Sequence, residues 1–397
     1  MAFLIASLIC VLLFHGLAQE TNGSELPTQC TGRTSMFCYP VIPSFIQIYG
    51  WNLSNVERLY LYDVYGLKWS LQTLPSGLFN WATNVQYLYM SDVGLENLNC
   101  DIFQPLRNSL NTIEMQRNLF REFPSCALKN MNHLKSIDFS YQNIESVIIN
   151  DIELDSLSKI EMRQNKIISF SISNINNNND ITIVLDNNKI SYLNISGVNC
   201  IKHLQVIENQ LAEINHDIFH NSHATLVYLE LSYNALNDDV WNVLEGVTSL
   251  ETLKLKQNRL QTVSPSVITR LSKLVHLDLS HNYIKLLTDV LLRSGKMKTV
   301  LFNSNKLVNF PPNLIHDKIT FRDSYHCTLD ISNNMLNNIQ LNMPSTSARL
   351  TLNLGQNELT TIQFNTNDRE IESLNISSNR LVTLPETLLK AKPLHHF

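Results

Sequence analysis

The chain has 397 residues, 44% of them hydrophobic and 16% charged, with a formal net charge of −5. This composition supplies a large core and excludes the strongly basic field with which a protein gathers nucleic acid. A length that would ordinarily divide into two or three domains also fits one elongated body, provided an internal repeat builds it.

Residues 1–18 read as a secretory signal, apolar from Phe3 to Phe14 and ending on His15, Gly16, Leu17 and Ala18, with Gln19 as the expected mature start. No later stretch reaches the roughly 18 consecutive apolar residues that span a bilayer, so the expectation is a secreted, extracellular protein with no membrane span. Residues 19–55 form a tail and a cysteine-containing cap, in which Phe37, Tyr39, Phe45, Ile46 and Ile48 cover the N-terminal end of a repetitive body. A bridge between Cys30 and Cys38 is expected there, in the oxidising compartment that a signal implies.

From residue 56 to 397 one pattern recurs: apolar residues at positions 1, 4, 6 and 11 and asparagine at position 9. Its clearest copies are Leu250, Leu253, Leu255, Asn258 and Leu260, then Leu274, Leu277, Leu279, Asn282 and Ile284. Fourteen copies start at Val56, Val85, Leu110, Leu134, Leu157, Asp180, Ile201, Leu226, Leu250, Leu274, Met297, His326, Arg349 and Ile371. Positions 4 and 6 alternate with outward ones, the period of a strand, and so short a strand can pair only with its equivalent in the next coil. At position 9 a side-chain amide can both donate and accept where the chain turns inward. Eleven asparagines, from Asn118 to Asn379, therefore predict a buried ladder, while Val64, Val93 and Gln142 stand at that position in three N-terminal copies. Proline in the second half of several coils, as at Pro75, Pro311 and Pro385, argues against long helices there.

The expected fold is an α/β-type solenoid, a horseshoe with a parallel concave sheet and short irregular, 3-10 or extended convex segments. The pattern resembles the extracellular leucine-rich-repeat family over roughly residues 56 to 390. Within it, the signal, the short repeats and the N-terminal cysteine pair look most like the secreted leucine-rich immune proteins of mosquitoes and other insects. The chain stops at Phe397 without the cysteine-rich segment and coiled coil of the long members, which points to the coil-less type.

Cys100 and Cys126 fall fifteen and sixteen residues after the starts of adjacent copies, which predicts a disulfide between neighbouring coils. Cys200 and Cys327 lie five repeats apart and cannot pair with each other. Each reads as a buried thiol, with an intermolecular bridge as the alternative for Cys327. Glycosylation sequons stand at Asn22, Asn52, Asn194 and Asn375, the last pointing from the concave sheet.

No phosphate-binding glycine loop, zinc-protease motif or Cys-x-x-Cys is present, so no catalytic residue, metal or cofactor is expected. His276, Asp278 and His281 share one strand region and read as ordinary outward polar residues. The candidate partner-binding residues are therefore those of the concave face. Tyr60, Tyr62, Tyr87 and Tyr89 form an N-terminal aromatic group, unless the cap folds over them. Glu114, Asp138, Glu161, Glu230 and Asp278 form an acidic column that a cationic partner would balance. The resulting reading is a secreted binding protein that recognises a protein or pathogen-associated ligand in innate immunity. Another leucine-rich-repeat protein or a defence effector would be its partner, as a homo- or heterodimer. An extracellular-matrix or cell-adhesion structural role is the alternative.

Overall fold

The computed structural model describes residues 29–31, 35–39, 55–61, 72–74, 76–80, 82–150, 154–173, 179–289, 296–311, 314, 326–341, 349–364 and 371–384. The expected signal of residues 1–18, Tyr62, Asn22 and Asn52 lie outside the described residues.

One sixteen-stranded sheet dominates. It opens with an antiparallel hairpin, Gln29–Thr31 against Ser35–Tyr39, whose register sets Cys30 opposite Cys38. The cysteine side chains of this hairpin lie outside the described residues. The remaining strands, from Arg58–Leu61 to Ile371–Asn375, pair in parallel, each with its equivalent in the next coil. Setting the two hairpin strands aside leaves fourteen, one for each copy of the pattern. The hairpin extends the edge of the sheet through Phe37 opposite Tyr60, so it lies beside the tyrosines.

Leucine, isoleucine and their equivalents at positions 4 and 6 of each strand are buried almost without exception, as at Leu253 and Leu255 or Val300 and Phe302. After the strand the chain reverses at position 8, which is left-handed in every described coil from Asp92 (φ 60) to Ser378 (φ 55). That turn swings position 9 inward, and the asparagine there ties two coils together. Asn258 Nδ2 donates to Leu255 O at 3.1 Å and to Leu231 O of the preceding coil at 3.0 Å, while its Oδ1 accepts from Leu236 N at 2.9 Å. Equivalent bonds recur along the ladder, for example at Asn188 and Asn357.

Gln142 occupies this position in its coil and reaches Met115 O with Nε2, but its buried Oε1 has no hydrogen-bond partner. Where Val93 replaces the asparagine, Asn118 of the following coil accepts from both Val93 N and Leu95 N, at 3.2 and 3.1 Å. In the coil starting at His326 the strand begins at position 1 and simply extends the in–out alternation. His326 is exposed, Cys327 buried and Thr328 half-buried, which explains the polar residue at the head of that copy.

The far wall is built as the prolines suggest. It holds short 3-10 turns such as Ser125–Leu128, and helices no longer than Val240–Val243 and Pro265–Arg270 among the described residues. Two small parallel sheets complete it, one from Ser146–Asn150, Ser169–Ser173 and Tyr192–Asn194, the other from Asn338–Leu341 and Thr361–Phe364. A disulfide joins Cys100 to Cys126 across adjacent coils, with 4.8 Å between the alpha carbons.

Candidate functional site

Register converts the concave sheet into columns of outward side chains. One column runs Tyr60, Tyr89, Glu114, Asp138, Glu161, Val184, Gln205, Glu230, Lys254, Asp278, Leu301, Asp330, Asn353 and Asn375, each opposite the next. A second column, two residues earlier on each strand, contains Arg58, Tyr87, Thr112, Lys159, His203, Tyr228, His276 and Thr299.

The tyrosines meet at the N-terminal end. The Tyr60 ring centroid lies 5.4 Å from that of Tyr87 and 5.9 Å from that of Tyr89, and all three rings are half-buried on the outward side. Burial, followed by a hydrogen bond to the Glu114 carboxylate, pushes the Tyr87 hydroxyl well above its ordinary pKa, so the ring stays neutral. A cluster of this kind is preformed and presents amphipathic ring faces.

Every acid in the column has a hydrogen-bonding or ionic partner within the chain. Glu114 is bonded by Tyr87. Asp138, only 6% exposed, accepts from Gln116 and, at 2.9 Å, from Ser140 N. Glu161 lies 2.7 Å from Lys159 and 3.4 Å from Arg163. Glu230 accepts from Tyr228 and from Lys254 Nζ at 3.0 Å, and Asp278 accepts from Ser280 N at 2.9 Å. Bonds from the side chain at position 5 to the backbone N–H two residues on recur at Asp330, Asn353 and Asn375. This is the local capping that Asp and Asn perform in turns. Of these acids only Glu161 and Glu230 meet a cation within the chain, while the bonds to Glu114, Asp138 and Asp278 come from neutral groups, so the need for a cationic partner is relieved at Glu161 and Glu230 alone.

Sequence reading also missed two members of this central network. Tyr228 stands in the same column as Tyr87, and that alignment was the signal for it. Lys254 Nζ reaches its hydroxyl at 3.1 Å and lies 5.3 Å above its ring. Burial and the bond to Glu230 raise the Tyr228 pKa. For Lys254 burial pulls downward, but the bonds to Tyr228 and Glu230 outweigh it and the pKa rises. Asp186, at position 7, accepts from Ile207 N at 3.0 Å and from Gln205, with Arg163 Nη1 at 3.5 Å. Burial nonetheless leaves its pKa raised.

His276 and Asp278 each bond to other groups. His276 Nδ1 meets Thr299 Oγ1 at 3.2 Å, and burial together with Lys298 and Lys254 lowers its pKa. Among the described residues no group of His, Cys, Asp and Glu could hold a metal, and no helix is long and apolar enough to cross a membrane. Cys327 is 2% exposed and faces the core, where burial pushes its thiol up to about 12. That burial agrees with the reading of a buried thiol and opposes the alternative of an intermolecular bridge. Cys200 is half-buried with a free thiol. Asn194 lies in the far-wall sheet and Asn375 is exposed on the concave face.

A family profile described as leucine rich repeat matches residues 224–284 and 248–307. Toll-like receptor 3 of Bos taurus is 26% identical over 246 residues, covering 56% of this chain and 27% of the receptor. Tsukushi of Gallus gallus is 30% identical over 160 residues, covering 40% of this chain and 42% of that protein. The chain thus spans less than half the length of either relative. Among solved structures, one of the Toll–Spatzle complex from Drosophila superposes with a TM-score of 0.60 at 20% identity, covering 77% of this chain and 44% of that one. The LRIM1/APL1C complex gives 0.52 at 18% identity, covering 71% and 52%. The chain is a leucine-rich-repeat solenoid with structural neighbours among the mosquito leucine-rich-repeat proteins.

Proposed function

We propose that the chain is a secreted recognition module of innate defence. It binds a protein or pathogen-associated ligand through the N-terminal third of its concave sheet. The observation that carries this reading is the cluster of Tyr60, Tyr87 and Tyr89, three outward rings packed together. Aromatic groups that lose little conformational freedom on binding are the usual anchors of an interface. Farther along the sheet, Glu161, Asp186 and Glu230 are already matched by cations within the chain, so a partner gains little by replacing those contacts. The likeness to a Toll–Spatzle complex and to an LRIM1/APL1C complex supports a protein as the partner, another repeat protein or a defence effector among them.

The test is capture of partners from the extracellular fluid of the source, using the wild type beside a Tyr60→Ala, Tyr87→Ala, Tyr89→Ala variant and a Glu161→Gln, Glu230→Gln variant. A soluble partner held by the wild type and by the glutamine variant, and lost from the alanine variant, supports the reading. A partner retained by the alanine variant refutes the tyrosine site. Recovery of insoluble matrix components alone turns the reading to a structural role.

A further inference from the structure

The far-wall sheet of Ser146–Asn150, Ser169–Ser173 and Tyr192–Asn194 carries exposed apolar side chains on both of its outer strands. Its register places Ile148, Ser171 and Asn194 in one row and Ser146, Ser169 and Tyr192 in the next. Ile148 and Tyr192 are each 57% exposed, on the two outer strands. The middle strand turns only Ser169, Ser171 and Ser173 outward, so a low polar floor lies between two apolar shoulders. Val147, Phe170 and Leu193 fill the opposite side of the sheet and belong to the core, so these shoulders cannot turn inward.

Asn194 stands at the end of the row that leads across this floor to Ile148. Asn194, Ile195 and Ser196 form an acceptor sequon. Asn194 Oδ1 accepts from Ser196 N at 3.2 Å and from Ser196 Oγ at 2.8 Å, which ties the oxygen back to the chain. Among the described residues no hydrogen bond engages Nδ2, the atom that a sugar would take.

We propose that Asn194 carries an N-linked glycan whose first sugars lie along the serine floor and cover Ile148 and Tyr192. Transfer joins Nδ2 to the anomeric carbon of a lipid-diphosphate-linked oligosaccharide. The bond from that carbon to the diphosphate oxygen breaks, its electron pair leaves with the diphosphate, and one Nδ2 proton passes to a base. Ile148 is two strands from Asn194, about 10 Å at the spacing of parallel strands, a distance that the base of a glycan spans. The tyrosine ring offers an amphipathic face to a sugar, and the serine hydroxyls offer hydrogen bonds. The glycan would leave the concave sheet open, since this face lies on the opposite wall. The inference rests on the proposal that the chain is extracellular.

The experiment uses the full chain, secreted from eukaryotic cells under its own leader and treated with peptide-N-glycosidase in heavy-oxygen water. Mass spectrometry then reports conversion of each of Asn22, Asn52, Asn194 and Asn375 to labelled aspartate. Hydroxyl-radical labelling of Tyr192 and Ile148 is compared before and after treatment, with a Ser196→Ala variant as the enzyme-free control. The expected result is an occupied Asn194 and a rise in labelling at both residues when the glycan is removed or never added. A bare Asn194 on a protein glycosylated at its other sequons overturns this inference and leaves secretion intact. Failure to appear in the medium overturns both, and appearance there with no sequon occupied overturns this inference alone. An occupied Asn194 with unchanged labelling overturns the covering role.

Discussion

The N-terminal and central stretches of the concave sheet share one register and have opposite chemistry. Near the N-terminus, Tyr60, Tyr87 and Tyr89 pack ring against ring and leave half-buried aromatic surface facing outward. In the middle, Lys159, Glu161, Arg163, Asp186, Glu230 and Lys254 satisfy one another, with Tyr228 drawn in as a hydrogen-bonding bridge. A charged stretch can therefore be satisfied within the chain while a neutral one leaves its aromatic surface outward. The availability of a side chain depends on what its neighbours in the adjacent coils have already taken from it.

The largest effect should come from undercutting the central stretch. Asn258→Ala removes one buried donor and one acceptor that serve several backbone groups, at a cost on the order of 3 kcal/mol. Denaturant melts should register that loss. Because each coil contacts only its neighbours, affinity at the N-terminal tyrosines should remain unchanged while the protein is folded. Next, Tyr89→Ala should weaken partner binding by about 2 kcal/mol, close to thirtyfold, as measured by titration calorimetry. An equal loss from Glu230→Gln would erase the contrast between the two stretches.

Between the two lies Gln142, whose longer side chain leaves its own oxygen unpartnered. Gln142→Asn should restore the ladder and stabilise the fold by about 1 kcal/mol, visible as a higher denaturation midpoint. Glu230→Gln should cost only about 0.5 to 1 kcal/mol of stability, the scale of a partly exposed ion pair, and less in high salt.

The smallest effect is a pH dependence. The Asp186 pKa is raised above its ordinary 3.8 by burial, so the fold favours its protonated form. That contribution to stability is complete below the unfolded value and disappears as pH rises through the raised native value. Asp186→Asn should flatten this part of the stability profile, and a profile identical to wild type would contradict it.

Most of the fold was legible in the sequence, because a strand with a period of two and an asparagine at a fixed offset have one common solution. The Cys100–Cys126 bridge followed from position alone, and so did the outward column from Tyr60 to Asn375. The state of the acids was not legible. It depends on residues one coil away in space and more than twenty away in sequence, such as Gln116 for Asp138 and Lys254 for Glu230. The choice between the two readings of Cys327 was not legible for a similar reason. Its copy begins with His326 outward, and only the extended strand shows that the next residue turns inward.

The central claim is that recognition belongs to the N-terminal tyrosines, and tyrosine-selective nitration of the chain, free and with its captured partner, tests it most directly. The partner is expected to shield Tyr60 and Tyr89 and to leave the 44% exposed Tyr141 as reactive as before. Equal nitration of Tyr60 and Tyr89 in the free and bound protein would contradict it.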